Sequence, residues 1–137
     1  MPVAGPQPTH LILRHGDRLA ICGDSITEQK MYSRIMEDYL TMCVPQLAVT
    51  VRQYGWSGER APEFLNRMTN DVLRFEPTVA TTCYGMNDHE YRTYEDRIGD
   101  TYRTNQELIV AEMQLLQLTQ REQRLKEILA PIIDTYD

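Results

Sequence analysis

Cysteine is sparse and shows no pairing pattern: Cys22, Cys43 and Cys83 stand far apart, with no Cys-x-x-Cys spacing. A cysteine-built zinc site and a disulfide framework are therefore excluded, and all three residues are expected to be buried thiols. No apolar run reaches the roughly 18 residues that a membrane-spanning helix requires. Positive charge is neither abundant nor clustered. Lys and Arg total 14 against 20 Asp and Glu, for a formal charge of -6, so no basic face exists for a nucleic-acid backbone. Met1 to Thr9 lacks the basic flank and apolar core of a signal peptide. The chain reads as cytoplasmic as given, and as secreted or periplasmic if a signal peptide has been removed. Neither Gly-x-x-x-x-Gly-Lys-Ser/Thr nor Gly-x-Gly-x-x-Gly occurs, so no nucleotide or flavin is expected. No metal or cofactor is expected either.

What is present is an alternating pattern of short apolar runs and amphipathic stretches. After a Pro-rich leader, residues 1–17, Arg18 to Cys22 reads as a buried strand closed by Gly23. From Glu28 to Cys43 the residues Met31, Ile35, Met36, Tyr39, Leu40 and Met42 recur at helical steps. This predicts one amphipathic helix with its methionines in the core. Leu47 to Tyr54 is β-branched and leads to Gly55 and Gly58, which predicts a second strand. Ala61 to Phe75 reads as a second helix, with Pro62 in its first turn. Thr78 to Tyr84 reads as a third strand, running into Gly85.

Strands alternating with helices predict a parallel sheet with helices on its faces. Residues 18–137 are expected to form one domain, with its core in 18–94 and a helical segment in 95–137. In that segment, 105–130 contains no glycine or proline, and Leu108, Ala111, Leu115, Leu118, Leu125, Leu129 and Ile132 follow a helical period interrupted by Glu122. This long helix either packs on the sheet or mediates self-association.

Three loops follow the three strands: Gly23-Asp24-Ser25, Gly55 to Gly58, and Gly85-Met86-Asn87-Asp88. In open α/β sheets ligands bind at the carboxyl ends of the strands, where all three loops are expected to meet. A serine at a strand-to-helix turn has its hydroxyl exposed and its own N–H at a helix amino terminus, which favours developing negative charge. On this tripeptide alone the simpler reading is that Ser25 or Thr27 caps the helix, since Ser is a common N-cap. Gly58 offers a backbone N–H at close range and Asn87 a side-chain N–H, so with Ser25 they make three donors for one oxyanion.

These three blocks resemble those of the SGNH (GDSL-type) hydrolases, over roughly Arg18 to Tyr94. The resemblance implies a flavodoxin-like three-layer α/β/α sandwich, here truncated to about three strands plus a long C-terminal helix. It implies that Ser25 attacks an ester carbonyl while Ser25 N–H, Gly58 N–H and the Asn87 amide hold the oxyanion. The substrates implied are small-molecule acyl or acetyl esters, including carbohydrate and lipid esters, and no cofactor is needed.

One departure from the family is plain. Members carry a late Asp-x-x-His block whose histidine activates the serine, but here no histidine follows His89, and the tail offers only Asp134 and Asp137. The chain is either part of a longer enzyme or a different construction that kept the front half. Low activity is expected for it alone, and the alternative is a noncatalytic module forming a homodimer through its C-terminal helix. His10 and His15, before the first strand, are expected to be exposed. His89 is the substitute base to consider, although shaping the pocket is the simpler role. Trp56 and Tyr84 are candidates for lining the pocket or for packing. Asp24 and Asp88, at the same crevice, are expected to accept hydrogen bonds from loop N–H groups.

Overall fold

The computed structural model describes the backbone of residues 12–133 and the side-chain surroundings of residues 12–127. His10, Asp134 and Asp137 lie outside the described residues. Strand β1 (Arg18–Gly23) is the centre of a three-stranded parallel sheet, with β2 (Thr50–Gly55) on one side and β3 (Val79–Cys83) on the other. Burial on both faces explains its apolar sequence: Leu19 to Gly23 are all buried. Leu19 and Ile21 point to one face, with Leu40 and Val49. Ala20 and Cys22 point to the other, where α3 (Ala61–Asp71) and α4 (Asp96–Ile133) supply Phe64, Met68 and Ile109. Helices thus flank both faces, as the alternating pattern requires.

Several boundaries differ from the sequence reading. The first helix is two: α1 (Ser25–Glu28) and α2 (Met31–Met42), separated where Lys30 takes a left-handed conformation at φ 58°. A non-glycine residue rarely adopts this conformation, so periodicity gave no sign of the break. Helix α2 also sits the other way round. Tyr32, Ser33, Met36 and Leu40 face the sheet, whereas Met31, Ile35, Tyr39 and Met42 are exposed. Ser33 explains the choice, since it donates to Gln53 of β2 at 2.6 Å and so anchors α2 through its polar side. Before β2, Pro45–Leu47 is a 3-10 turn, and β2 starts later than its β-branched run suggested. The second helix ends at Asp71, and Phe75 leaves its stripe to stack with Arg52, whose guanidinium lies 4.0 Å from the ring centre.

Helix α4 begins at Asp96, within the expected helical segment and nine residues before its glycine- and proline-free run, and runs 38 residues, about 57 Å at 1.5 Å per residue. Ile98, Tyr102, Ile109, Met113 and Leu116 pack it on the body, while Leu108, Leu115, Leu118 and Leu125 are turned to solvent. The leucine stripe of the sequence is therefore not the packing face. Leu129 and Ile132 fall outside the described side chains.

Of the three thiols, Cys22 alone is buried; Cys43 and Cys83 are exposed, contrary to expectation. Cys43 caps the end of α2, and Cys83 lies on β3, a sheet edge among the described residues, on the same face as Leu19, Ile21 and Val79 but left uncovered at that edge. Burial pushes the Cys22 thiol up to about 12; the Arg67 charge opposes this shift and Glu59 adds to it. A maleimide at pH 8 is expected to label Cys43 and Cys83 in the native chain and Cys22 only after unfolding, a result read by peptide mass. Tyr84 is raised in the same way, first by burial and then by its bond to Glu59. Both acids keep their protons longer folded than unfolded. Their stabilisation is therefore complete below the ordinary thiol value of 9.0 and declines as pH climbs toward 12.

Candidate active site

Strand register sets the level of the site. Gly23 of β1 is paired with Gly55 of β2 and with Cys83 of β3, so the three following loops leave the sheet side by side at its carboxyl end. Trp56 N–H donates to the Gly23 carbonyl at 3.0 Å, tying the second loop to the first. Helix α1 crosses over Gly55 so closely that a Cβ there would overlap the backbone of Thr27 and Glu28. That contact is the physical reason for a glycine at the end of β2.

Ser25 is the first residue of α1, half-buried, and its N–H has no partner within the helix. The capping role goes to its neighbour. Asp24, buried, accepts from Ile26 N–H at 3.0 Å, so Ser25 is not the cap. Gly58 is exposed with φ +74°, a left-handed conformation that a side chain would strain.

Asn87 is fixed at both ends of its carboxamide. Its Nδ2 donates to the Glu59 carbonyl at 3.0 Å, and its Oδ1 accepts from the Tyr91 hydroxyl at 2.9 Å. This places the amide nitrogen against the residue next to Gly58 and leaves its second hydrogen uncommitted. Asp88, buried, joins the same two loops: one carboxylate oxygen accepts from Ala61 N–H at 2.9 Å and the other from Gly85 N–H at 3.0 Å. Asp88 thus accepts from backbone N–H groups through both oxygens, and Asp24 through one.

Sequence reasoning missed a second set of residues beneath these loops. Glu59 is buried and is gripped by Arg67 through Nε at 2.5 Å and Nη2 at 2.8 Å. Arg67 also donates to the Tyr54 carbonyl at 2.8 Å, and the Tyr84 hydroxyl donates to Glu59 at 2.7 Å. Tyr84 stacks on Phe64 with ring centres 5.1 Å apart. Trp56 is exposed, with the Arg67 guanidinium 5.5 Å from its ring centre. The one available signal in the sequence was an arginine set among Phe64, Leu65 and Met68 on the buried side of α3.

His89 is exposed; its N–H donates to the Gly85 carbonyl, and among the described residues its ring makes no hydrogen bond to Ser25. His15 is exposed at the opposite end of β1. Among the described residues no group of His, Cys, Asp and Glu is arranged to hold a metal ion, and no helix is long and apolar enough to cross a membrane. A cavity of about 450 Å³ lies where the strands begin, between Arg18, Thr50, Arg52 and Phe75, away from Ser25, Gly58 and Asn87.

The model of the GDSL-like lipase/acylhydrolase family matches residues 21–135, spanning all three loops. The chain belongs to this family. No curated protein matches it. Among solved structures, an acetylxylan esterase from Geobacillus stearothermophilus, Axe2, superposes with a TM-score of 0.68 at 22% identity, covering 77% of this chain and 58% of that one. An alpha/beta hydrolase enzyme from the metagenome of Lake Arreo, Spain, LAE5, gives 0.65 at 21%, covering 75% and 57%. These likenesses establish the α/β fold of the GDSL-like family, and the chain spans less than two thirds of either structure's length. Axe2 variants described as catalytic mutants alter a serine, an aspartate and a histidine.

Proposed function

We propose that this chain is a serine ester hydrolase of the GDSL-like family that forms an acyl-enzyme on Ser25. The observation that carries the reading is the seating of Asn87: its amide is held against the Glu59 carbonyl, beside Gly58, at the sheet end where α1 begins. In the proposed reaction, Ser25 Oγ bonds to the ester carbonyl carbon and passes its proton to solvent water. The carbonyl oxygen becomes an oxyanion held by the N–H groups of Ser25 and Gly58 and by the free hydrogen of Asn87. Collapse breaks the ester C–O bond and expels the alcohol, which takes up a proton from solvent; a water molecule then adds to the acyl group, and its protons leave with the acid and return to Ser25. Among the described residues no imidazole is bonded to Ser25, so slow turnover is expected of this chain. Serine hydrolases stripped of a triad member keep roughly 10³–10⁴-fold rate over water through the oxyanion hole and binding. The likeness to an acetylxylan esterase makes acetylated carbohydrates the first substrates to test.

The test is covalent labelling by a fluorophosphonate, with p-nitrophenyl acetate hydrolysis measured in parallel. The wild-type chain is expected to label slowly, on the peptide containing Ser25, and Ser25→Ala to abolish that label. Equal labelling of the two would remove the nucleophile from the proposal. His89→Ala, expected to leave the labelling rate within about twofold, tests the substitute base. A second reading, a noncatalytic module that self-associates, is favoured by the outward leucines of α4.

A further inference from the structure

Helix α4 carries two separate stripes. The packing stripe, Tyr102, Ile109, Met113 and Leu116, holds it to the body. The other, Leu108, Ala111, Leu115, Leu118, Glu122 and Leu125, advances by alternating steps of three and four residues, the heptad repeat of a coiled coil. At about 100° per residue the two stripes lie roughly 150° apart around the helix, and the residues of the second stripe are exposed throughout, Leu118 at 62%. A helix packing only on its own body needs no second seam. From Arg121 to Glu127 every side chain is exposed, so this part of α4 has little tertiary support of its own, and isolated helical segments this short are marginal in water.

We propose that the second seam is a homodimer interface, in which α4 of two copies pair as an antiparallel coiled coil centred near residue 120. The charges beside the seam choose both partner and direction. Assigning Leu108, Leu115 and Glu122 to position a and Ala111, Leu118 and Leu125 to position d puts Glu112 and Lys126 at e, and Glu107 and Arg121 at g. In a parallel pair, g faces the next e of the partner. Glu107 would meet the partner's Glu112, Arg121 the partner's Lys126, and Glu122 would be buried against its own copy. Each of these contacts is repulsive. In an antiparallel pair, e faces e and g faces g. Glu112 then meets the partner's Lys126 twice by symmetry, and Glu122 packs across from the partner's Leu118 instead of against a second carboxylate. Arg121 meets the partner's Arg121 at the centre, the single like-charge contact, with Glu122 beside it on each chain. Because the packing stripe lies on the far side of α4, the two bodies fall on opposite outer sides of the helix pair and do not collide.

Light scattering on the full chain is expected to report twice the 16.0 kDa chain mass. Leu118→Glu is expected to return it to a folded monomer, because Leu118 is outside the folding core, and to abolish the rise of the thermal midpoint with protein concentration that the wild-type dimer shows. A wild-type chain that stays monomeric up to about 100 µM would overturn the proposal. Direction is read from charge reversals at exposed positions. Glu112→Lys and Lys126→Glu are each expected to weaken the dimer roughly tenfold by sedimentation equilibrium, and the double variant to recover most of the loss. A parallel pair gives the opposite sign, since each single reversal would then relieve a repulsion and tighten the dimer; that result would reject the antiparallel arrangement. Ser25-dependent labelling is a separate readout, so loss of the dimer and loss of the hydrolase reading are distinguishable.

Discussion

Arg67→Ala is expected to lower the unfolding free energy by about 3 kcal/mol, measured as a shift in the urea midpoint at unchanged slope. Removing one partner of a buried ion pair costs about 3–5 kcal/mol because the other charge is left without compensation. Glu59 is only 4% exposed, while Arg67 retains 19% exposure, so the lower end of that range applies. The loss goes beyond one ion pair. Arg67 also holds the Tyr54 carbonyl at the end of β2, and Glu59 receives the Tyr84 hydroxyl from the end of β3. Replacing both partners, with Glu59→Leu and Arg67→Met, is expected to recover most of the loss, since apolar residues of similar volume need no charge compensation. A double variant no more stable than Arg67→Ala would mean that the hydrogen bonds to Tyr54 and Tyr84, not the charge, carry the energy.

This network shows where sequence reasoning reached its end. The strands were legible because burial on both faces forces a continuous apolar run in β1, and because the strand ends demand glycine where α1 crosses β2 at Gly55. The loops were legible for the same reason: Gly58 and Gly85, with φ +74° and +129°, mark backbone that other residues avoid. By contrast, Glu59 and Arg67 are charged residues in a stretch whose pattern otherwise asks for apolar ones, and only the tertiary fold brings them to the Tyr84 hydroxyl. The orientations of α2 and α4 were hidden by a different ambiguity. Each helix carries two apolar stripes, and periodicity cannot say which meets the sheet. In α2 the bond from Ser33 to Gln53 decides; in α4 the decision falls to Ile109, Met113 and Leu116, which the more regular leucine repeat obscured. Cys83 failed for want of topology, because a thiol on a strand is buried only if something covers that face.

On the proposed mechanism, Asn87→Ala should reduce Ser25-dependent p-nitrophenyl acetate hydrolysis about 100-fold, because loss of one oxyanion donor costs about 2.7–4 kcal/mol of transition-state stabilisation. With no imidazole bonded to Ser25 among the described residues, the donors are expected to carry most of the acceleration, so little is left to mask the change. The expected signature is a fall in kcat with KM nearly constant, since the oxyanion forms only in the transition state. Stability should fall by only about 1 kcal/mol, the ordinary worth of the hydrogen bond that Asn87 gives to the Glu59 carbonyl. That contrast separates a positioning effect from a chemical one: Arg67→Ala is dominated by stability, Asn87→Ala by rate. Asn87→Asp sharpens the comparison. It preserves shape but substitutes an acceptor that repels an oxyanion, so it should be at least as slow as Asn87→Ala. Rates for both variants within twofold of wild type would show that Asn87 serves only to hold the loop against Glu59, and the oxyanion would then need other donors.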